Sequence, residues 1–283
     1  VGAASYENQR HMNMESLYEY GARAGFWRLH RLFTARGVPV TVFGVAMALD
    51  RNPEAVSAMQ EADWEIASHG YRWIDYQFVD VDTERKHLVR AIDVHTRVTG
   101  ERPAGWYLGR CSPNSHRLVA EEGGFAYNSD CYSDDLPYWD YSFDTPQLMV
   151  PYTLDANDMR FATPQGFNSG DQFEAYLRDS FDVLYAEGAA GRAKMLSIGL
   201  HCRLIGRPGR VAASTVRLPP AMPGSSPTPS LTRTTRSACS SCSGSSTASV
   251  ATSSSRRHRS APNRRPSFAG SSGFGNMTHR RAR

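Results

Sequence analysis

Several positions in this sequence set a titratable or cationic side chain at the end of a short apolar run. His69 follows "WEIAS", Arg110 follows "GWYLG", Asp130 follows "FAYNS", Asp155 and Asp158 follow "VPYTL", and His201 follows "MLSIGL". A histidine exchanges protons near neutral pH, a carboxylate serves as a base or holds an imidazole, and an arginine orients a carboxylate or carbonyl. One such residue is ordinary loop chemistry. Five successive strand ends carrying one are a candidate acid–base site, because in sheets fed by helical crossovers the chemistry gathers where strands run out at their carboxyl edge.

His69 also begins an incomplete motif. In "SHGYRW" the position four residues on, where a second imidazole would complete a metal-binding pair, is Trp73. An indole nitrogen only donates, so Trp73 cannot ligate a cation. No metal and no other cofactor is therefore expected. The adjacent pair His201 and Cys202 invites a nucleophile–base interpretation, but strand alternation turns the two side chains to opposite faces. His201 then points inward with Arg203 following on its side, and Cys202 joins the core. Cys111 and Cys131 read as reduced thiols. Cys239 and Cys242 have CxxC spacing without a second pair, which is not a zinc signature.

The elements that must position these residues alternate. Residues 15–36 carry Leu17, Tyr20, Ala24 and Trp27 on one helical stripe, stopped by Gly37. "PVTVFGV" (39–45) is a strand. A helix opened by Asn52 and Pro53 runs to about Asp63 and leads into "WEIAS". Residues 82–100 and 112–124 are helices flanking the short strand "GWY", and "FAYNSD", "QLMVPYT", a helix at 171–187 and "KMLSIGL" continue the series. Repeated strand–helix units imply right-handed crossovers and a parallel sheet, an α/β fold that is doubly wound or closed as a barrel.

Charge divides the chain near Ala212. Residues 213–283 hold eleven arginines and no lysine, aspartate or glutamate; with +11 in this tail and +4 for the whole chain, the first 212 residues carry −7. The tail is rich in Ser, Arg, Pro and Thr with neither apolar period, so it is expected to be disordered, or to be coding sequence translated out of frame. No window is apolar enough to cross a membrane and no secretory signal is visible, which makes the cytoplasm the expected location.

The long segments "WEIASHGYRWID", "GERPAGWYLGRCSPNSHRLVAEEGGFAYNSDCYSDDLPYW", "LMVPYTLDANDMRFATPQGFNSGDQF" and "KMLSIGLHCRLIGRPGR" resemble the polysaccharide deacetylase superfamily (NodB homology), and within it the cofactor-independent bacterial allantoinases. The resemblance covers residues 6–211. It implies a distorted (β/α) barrel over residues 1–212, with a first strand and its carboxylate missing before the helix and no C-terminal closure, so that the isolated barrel would be open at both ends and prone to aggregate. The usual members hold a divalent metal on an Asp and a His-x-x-x-His pair and deacetylate amino sugars; His69 with Trp73 matches the branch that lacks the metal. The implied reaction is the opening of allantoin to allantoate. In it His201, in the "LHC" match to the final motif, is the acid–base candidate, with His69, Arg110 and Asp130 as further catalytic candidates. Trp73, Arg203, Asp158 and Arg160 are the substrate-binding candidates. The implied partner is a small cyclic ureide, and the implied assembly a homo-oligomer, with neither membrane nor nucleic acid expected. Two alternatives are a metal-dependent polysaccharide or chitooligosaccharide deacetylase, and an inactive remnant whose basic tail binds nucleic acid.

Overall fold

A computed structural model of the chain describes residues 6, 9–214 and 247–251. The first helical stripe is two helices, α1 (Met12–Tyr20) and α2 (Phe26–Thr34), joined by a π-helical turn, Gly21–Gly25. Only a residue without a side chain fits at Gly25, where a Cβ would lie 1.9 Å from the Cys202 carbonyl oxygen, so the wide turn lets α2 lie against the loop after His201. There follow β1 (Thr41–Gly44), α3 (Ala46–Asp50), α4 (Pro53–Glu61), β2 (Glu65–Ser68) and a 3-10 turn at Tyr76–Phe78.

The middle of the chain contributes α5 (Val81–Thr99), β3 (Gly105–Trp106), α6 (Ser115–Glu122) and β4 (Tyr127–Asn128). Helix α5 starts where Asp80 accepts from Thr83 N and stops at Gly100 in the left-handed region, as its end residues predict. Then come β5 (Tyr138–Asp140), β6 (Gln147–Met149), α7 (Gly170–Ala189), β7 (Ser197–Leu200), α8 (Pro208–Ser214) and β8 (Thr247–Ala251).

The sheet order is β5-β6-β4-β3-β2-β1-β8-β7. Strands β1, β2, β3, β4 and β6 pair in parallel, the arrangement the alternating sequence calls for. Strand β5, absent from the sequence expectation, is an antiparallel addition to β6. The sheet also curls round on itself: Asn157, downstream of β6, makes a parallel bridge to Gly199 of β7, and Ser197 N donates to Thr153 Oγ1 at 3.1 Å. The result is a distorted barrel. Most of the proposed tail lies outside the described residues, but Thr247–Ala251 is a strand. It runs antiparallel between β1 and β7, the place a missing barrel strand would take.

Strand alternation sorts the side chains into layers. Val42, Ile66, Ile198 and Leu200 face outward into a cluster with Phe26, Leu29 and Phe33 of α2, Met59 of α4 and Phe173 of α7. Trp106 faces outward into a second cluster with Leu88, Ala91 and Ile92 of α5 and Leu118 and Val119 of α6. Phe43, Ala67, Tyr107, Tyr127 and Tyr152 face inward and fill the barrel. Each fully buried Phe or Leu in these layers contributes roughly 1.5–3 kcal/mol of transfer free energy. Cys202 lies in the α2 cluster, the core placement alternation predicts.

Candidate active site

Two histidines stand at the carboxyl ends of inward-facing strand positions. His69 follows β2 and is 1% exposed; its backbone N–H donates to Gly44 O at 2.9 Å, tying it to the end of β1. Next to it Gly70 turns the chain at a φ of +69°, and a Cβ there would come within 2.6 Å of a Leu108 methyl. The His69 ring stacks on Tyr107 with centroids 5.1 Å apart, and Tyr107 stacks in turn on Tyr152 at 4.9 Å. Phe43 also packs against Tyr107, tilted, with centroids 5.0 Å apart.

His69 Nδ1 donates to the Tyr107 carbonyl oxygen at 2.9 Å. A carbonyl only accepts, so the proton of the neutral ring sits on Nδ1 and Nε2 presents a lone pair. Nε2 is buried and has no partner among the described residues. Burial holds this imidazole down to about 4, with the Tyr107 bond opposing, and the charges of His201 and Arg203 lower it further. At neutral pH His69 is therefore an acceptor.

His201 is held differently. Its Nδ1 bonds Asp158 Oδ1 at 2.6 Å, while Asp158 Oδ2 accepts from the backbone N–H groups of His201 and Ile205, both at 2.8 Å. Asp158 is wholly buried. One carboxylate therefore fixes the tautomer of the ring, its rotation and the turn that follows β7, the arrangement that prepares a histidine to move protons from Nε2. Burial lowers the His201 pKa below its ordinary value, against the pull of Asp158, and Arg203 adds to the lowering.

The close approach of β7 to Asn157 and Tyr152 needs Gly199. A Cβ at that position would lie 2.0 Å from Tyr152 Oη. Tyr152 Oη itself accepts from Asn157 Nδ2 at 2.7 Å, so the same residues close the barrel and wall the site below His201.

The remaining expected residues divide. Arg110 and Trp73 meet, the guanidinium lying 4.0 Å over the indole ring. Trp73 packs on the α2 cluster and Arg110 is exposed, so together they form a flat cationic wall. Asp130 is buried and each of its oxygens accepts a backbone bond: Leu108 N donates to Oδ2 and Gly109 N to Oδ1, each at 2.7 Å. Burial raises its pKa against those two bonds. Asp130, a catalytic candidate in the sequence, thus anchors the loop that carries Arg110. Asp158, a substrate-binding candidate in the sequence, is buried and is the orienting partner of His201. Arg160 lies 4.6 Å over Phe167 and 5.1 Å over Tyr176, against α7, so it packs in the helical layer. Arg203 sits 4.7 Å over Tyr18 of α1, near enough to bias both histidines.

Tyr107, Tyr152 and Asn157 were not expected as site residues. Tyr107 ends the expected strand "GWY", but the bond from its carbonyl to His69 depends on a β2–β3 pairing that no local pattern specifies.

The divalent metal of the family's usual members does not fit the donors present. His69 Nε2 is one ligand, Trp73 offers none, and a guanidinium lies on that ring. Among the described residues there is no group of three His, Cys, Asp or Glu placed to hold an ion.

Residues 10–126 match the polysaccharide deacetylase family. A Schizosaccharomyces pombe (strain 972 / ATCC 24843) protein that bears the name "Putative polysaccharide deacetylase" is 43% identical over 217 residues, covering 71% of this chain and 68% of its own. A Pseudomonas aeruginosa PAO1 crystal structure, described as a probable polysaccharide deacetylase, is 62% identical with a TM-score of 0.73, over 75% of this chain and 71% of that one. The crystal structure of PuuE allantoinase is 60% identical with a TM-score of 0.74 over the same shares.

Proposed function

This chain belongs to the polysaccharide deacetylase family, and from that premise we propose that it is a hydrolase of carbon–nitrogen bonds that opens a cyclic ureide of the allantoin type with its own histidines as proton carriers. The observation that carries the proposal is the pairing of two buried histidines with opposite preparation. His201 is oriented by Asp158, and His69 has its proton fixed on Nδ1 by Tyr107. The 60% identity to PuuE allantoinase and the presence of Trp73 at the lost ligand position support a ureide over an acetylated sugar.

Hydrolysis of the ring amide needs water added at the carbonyl carbon and a proton delivered to the leaving nitrogen as the carbon–nitrogen bond breaks. His201, neutral at pH 7, takes the proton of the attacking water, and Asp158 stabilises the imidazolium that results. The same proton passes to the ring nitrogen, which leaves as the NH2 of the ureido group, while the carbonyl carbon becomes a carboxylic acid that releases the second proton of the water to solvent as it ionises. His69 Nε2 accepts a hydrogen bond from a ring N–H or from the water. The Arg110–Trp73 wall supplies a flat cationic face against a planar ring, and Arg203 adds positive potential where the oxyanion develops. The four residues Trp73, Arg110, Arg203 and His69 are thus assigned to binding and polarisation, and His201 to proton transfer.

The discriminating experiment offers the purified chain allantoin and N-acetylated chitooligosaccharides in parallel, following allantoate and acetate. Allantoate alone is expected. Acetate release without allantoate would replace this assignment with the deacetylase alternative.

A further inference from the structure

Outside the barrel, between β3 and the helices α5 and α6, lies a small, mainly apolar cavity with a few polar groups in its wall, which the site does not use. It leaves about 10 Å³ for the centre of a water molecule and is lined by Tyr76, Glu84, His87, Trp106, Leu108 and Ser115, among others. That is room for one water. Trp106 is 3% exposed, and its indole Nε1 is a buried donor with no partner among the described residues. A buried N–H left unbonded costs on the order of 1–3 kcal/mol, so its isolation in a native core asks for an acceptor.

The acceptor on the same cavity is Glu84, 4% exposed. Ser112 Oγ donates to its Oε2 at 2.6 Å and Ser115 Oγ to its Oε1. A carboxylate offers about four acceptor sites, so these two bonds leave capacity. Tyr76 Oη, on the same lining, bonds His87 Nδ1 at 3.1 Å.

We infer that this cavity is a binding site for one structural water, which accepts from Trp106 Nε1 and donates to the Glu84 carboxylate. The bridge has a consequence at the active-site edge. Glu84 holds Ser112, Ser112 N donates to Ser115 Oγ at 2.8 Å, and Tyr76 N donates to Arg110 O at 3.1 Å. The water thus ties β3 into the network through which Glu84 of α5 already holds the Arg110–Ser112 loop. It is a positioning element, independent of which substrate the site takes.

The test uses the full chain labelled with ¹⁵N at its tryptophan indoles. The five tryptophans give five indole signals, and Trp106→Phe identifies the one that disappears. The expected result is a cross-peak from the Trp106 indole proton to a long-lived water, together with hydrogen exchange in residues 110–114 at least tenfold faster in Trp106→Phe than in wild type. A Trp106 indole, assigned in wild type by its contacts with Leu118 and Val119, that shows no water cross-peak overturns the site whether or not the variant folds. An unchanged exchange rate in a folded Trp106→Phe overturns the positioning role. A crystal structure should place the water within hydrogen-bond distance of both Trp106 Nε1 and a Glu84 oxygen, and an empty cavity there would contradict the inference.

Discussion

Asp158 makes no contact with solvent, yet the account gives it nearly as much of the chemistry as the histidine it holds. Asp158→Asn keeps the shape and lets the ring choose the wrong tautomer, so kcat should fall by about 10²–10⁴ with KM little changed, much as for His201→Ala. An Asp158→Asn enzyme with normal kcat would show that the dyad is structural. The buried histidines also set a pH dependence of stability. His69 and His95 take up a proton near 6.5 when unfolded but only at about 4 in the folded chain. Below pH 6.5 the unfolded state therefore binds more protons. Stability is full above that value and drains as pH falls towards 4, by on the order of 3 kcal/mol per histidine. Urea midpoints should drop steeply between pH 7 and pH 5, and a flat profile would mean that these rings are charged or solvated in the fold. The sequence made His69, His201, Arg110 and Trp73 legible because each ends or follows a strand. It could not assign Asp130 and Asp158, since a carboxylate that binds substrate and one that binds backbone amides look the same until the loops are folded.

At the scale of elements, the parallel strands and most helices were legible from period and caps, with Gly100 and Pro53 marking ends where the structure has them. The π-helical turn at Gly21–Gly25 was not, because it answers to the Cys202 carbonyl, far along the chain. Strand β5 escaped as well: its three residues alternate over too short a span to register, and they are set by pairing with β6. The barrel's closure rests on a residue with no side chain. Gly199→Ala would drive a methyl into Tyr152 Oη and Asn157, separating β7 from the segment after β6. The expected loss is about 1–3 kcal/mol of stability, read as a lower urea midpoint, with activity lost in parallel because His201 moves with β7. If Gly199→Ala were neutral in both, the bridge between Asn157 and Gly199 would not be the closure.

Across the whole molecule, the barrel depends on a strand that local sequence pattern does not announce. Thr247–Ala251 sits in a segment dominated by Ser and Thr, and it satisfies the backbone edges of β1 and β7 from far along the chain. Truncation after Ser214 would leave both edges open, and open edges pair with other chains. Light scattering should then report association and thermal melting an earlier transition; a monodisperse truncated chain of unchanged Tm would mean that the barrel holds without β8. The same molecule-scale view bears on the reaction, because the barrel holds the unpartnered Nε2 of His69, an oriented histidine, a stack of aromatic rings and no set of metal donors among the described residues.

The most direct measurement is allantoin turnover by the full chain after exhaustive dialysis against a strong chelator. The account predicts unchanged allantoate production, abolished by His201→Ala. Loss of turnover on chelation with recovery on adding a divalent metal would contradict it, and would make His69 a metal ligand in place of a hydrogen-bond acceptor.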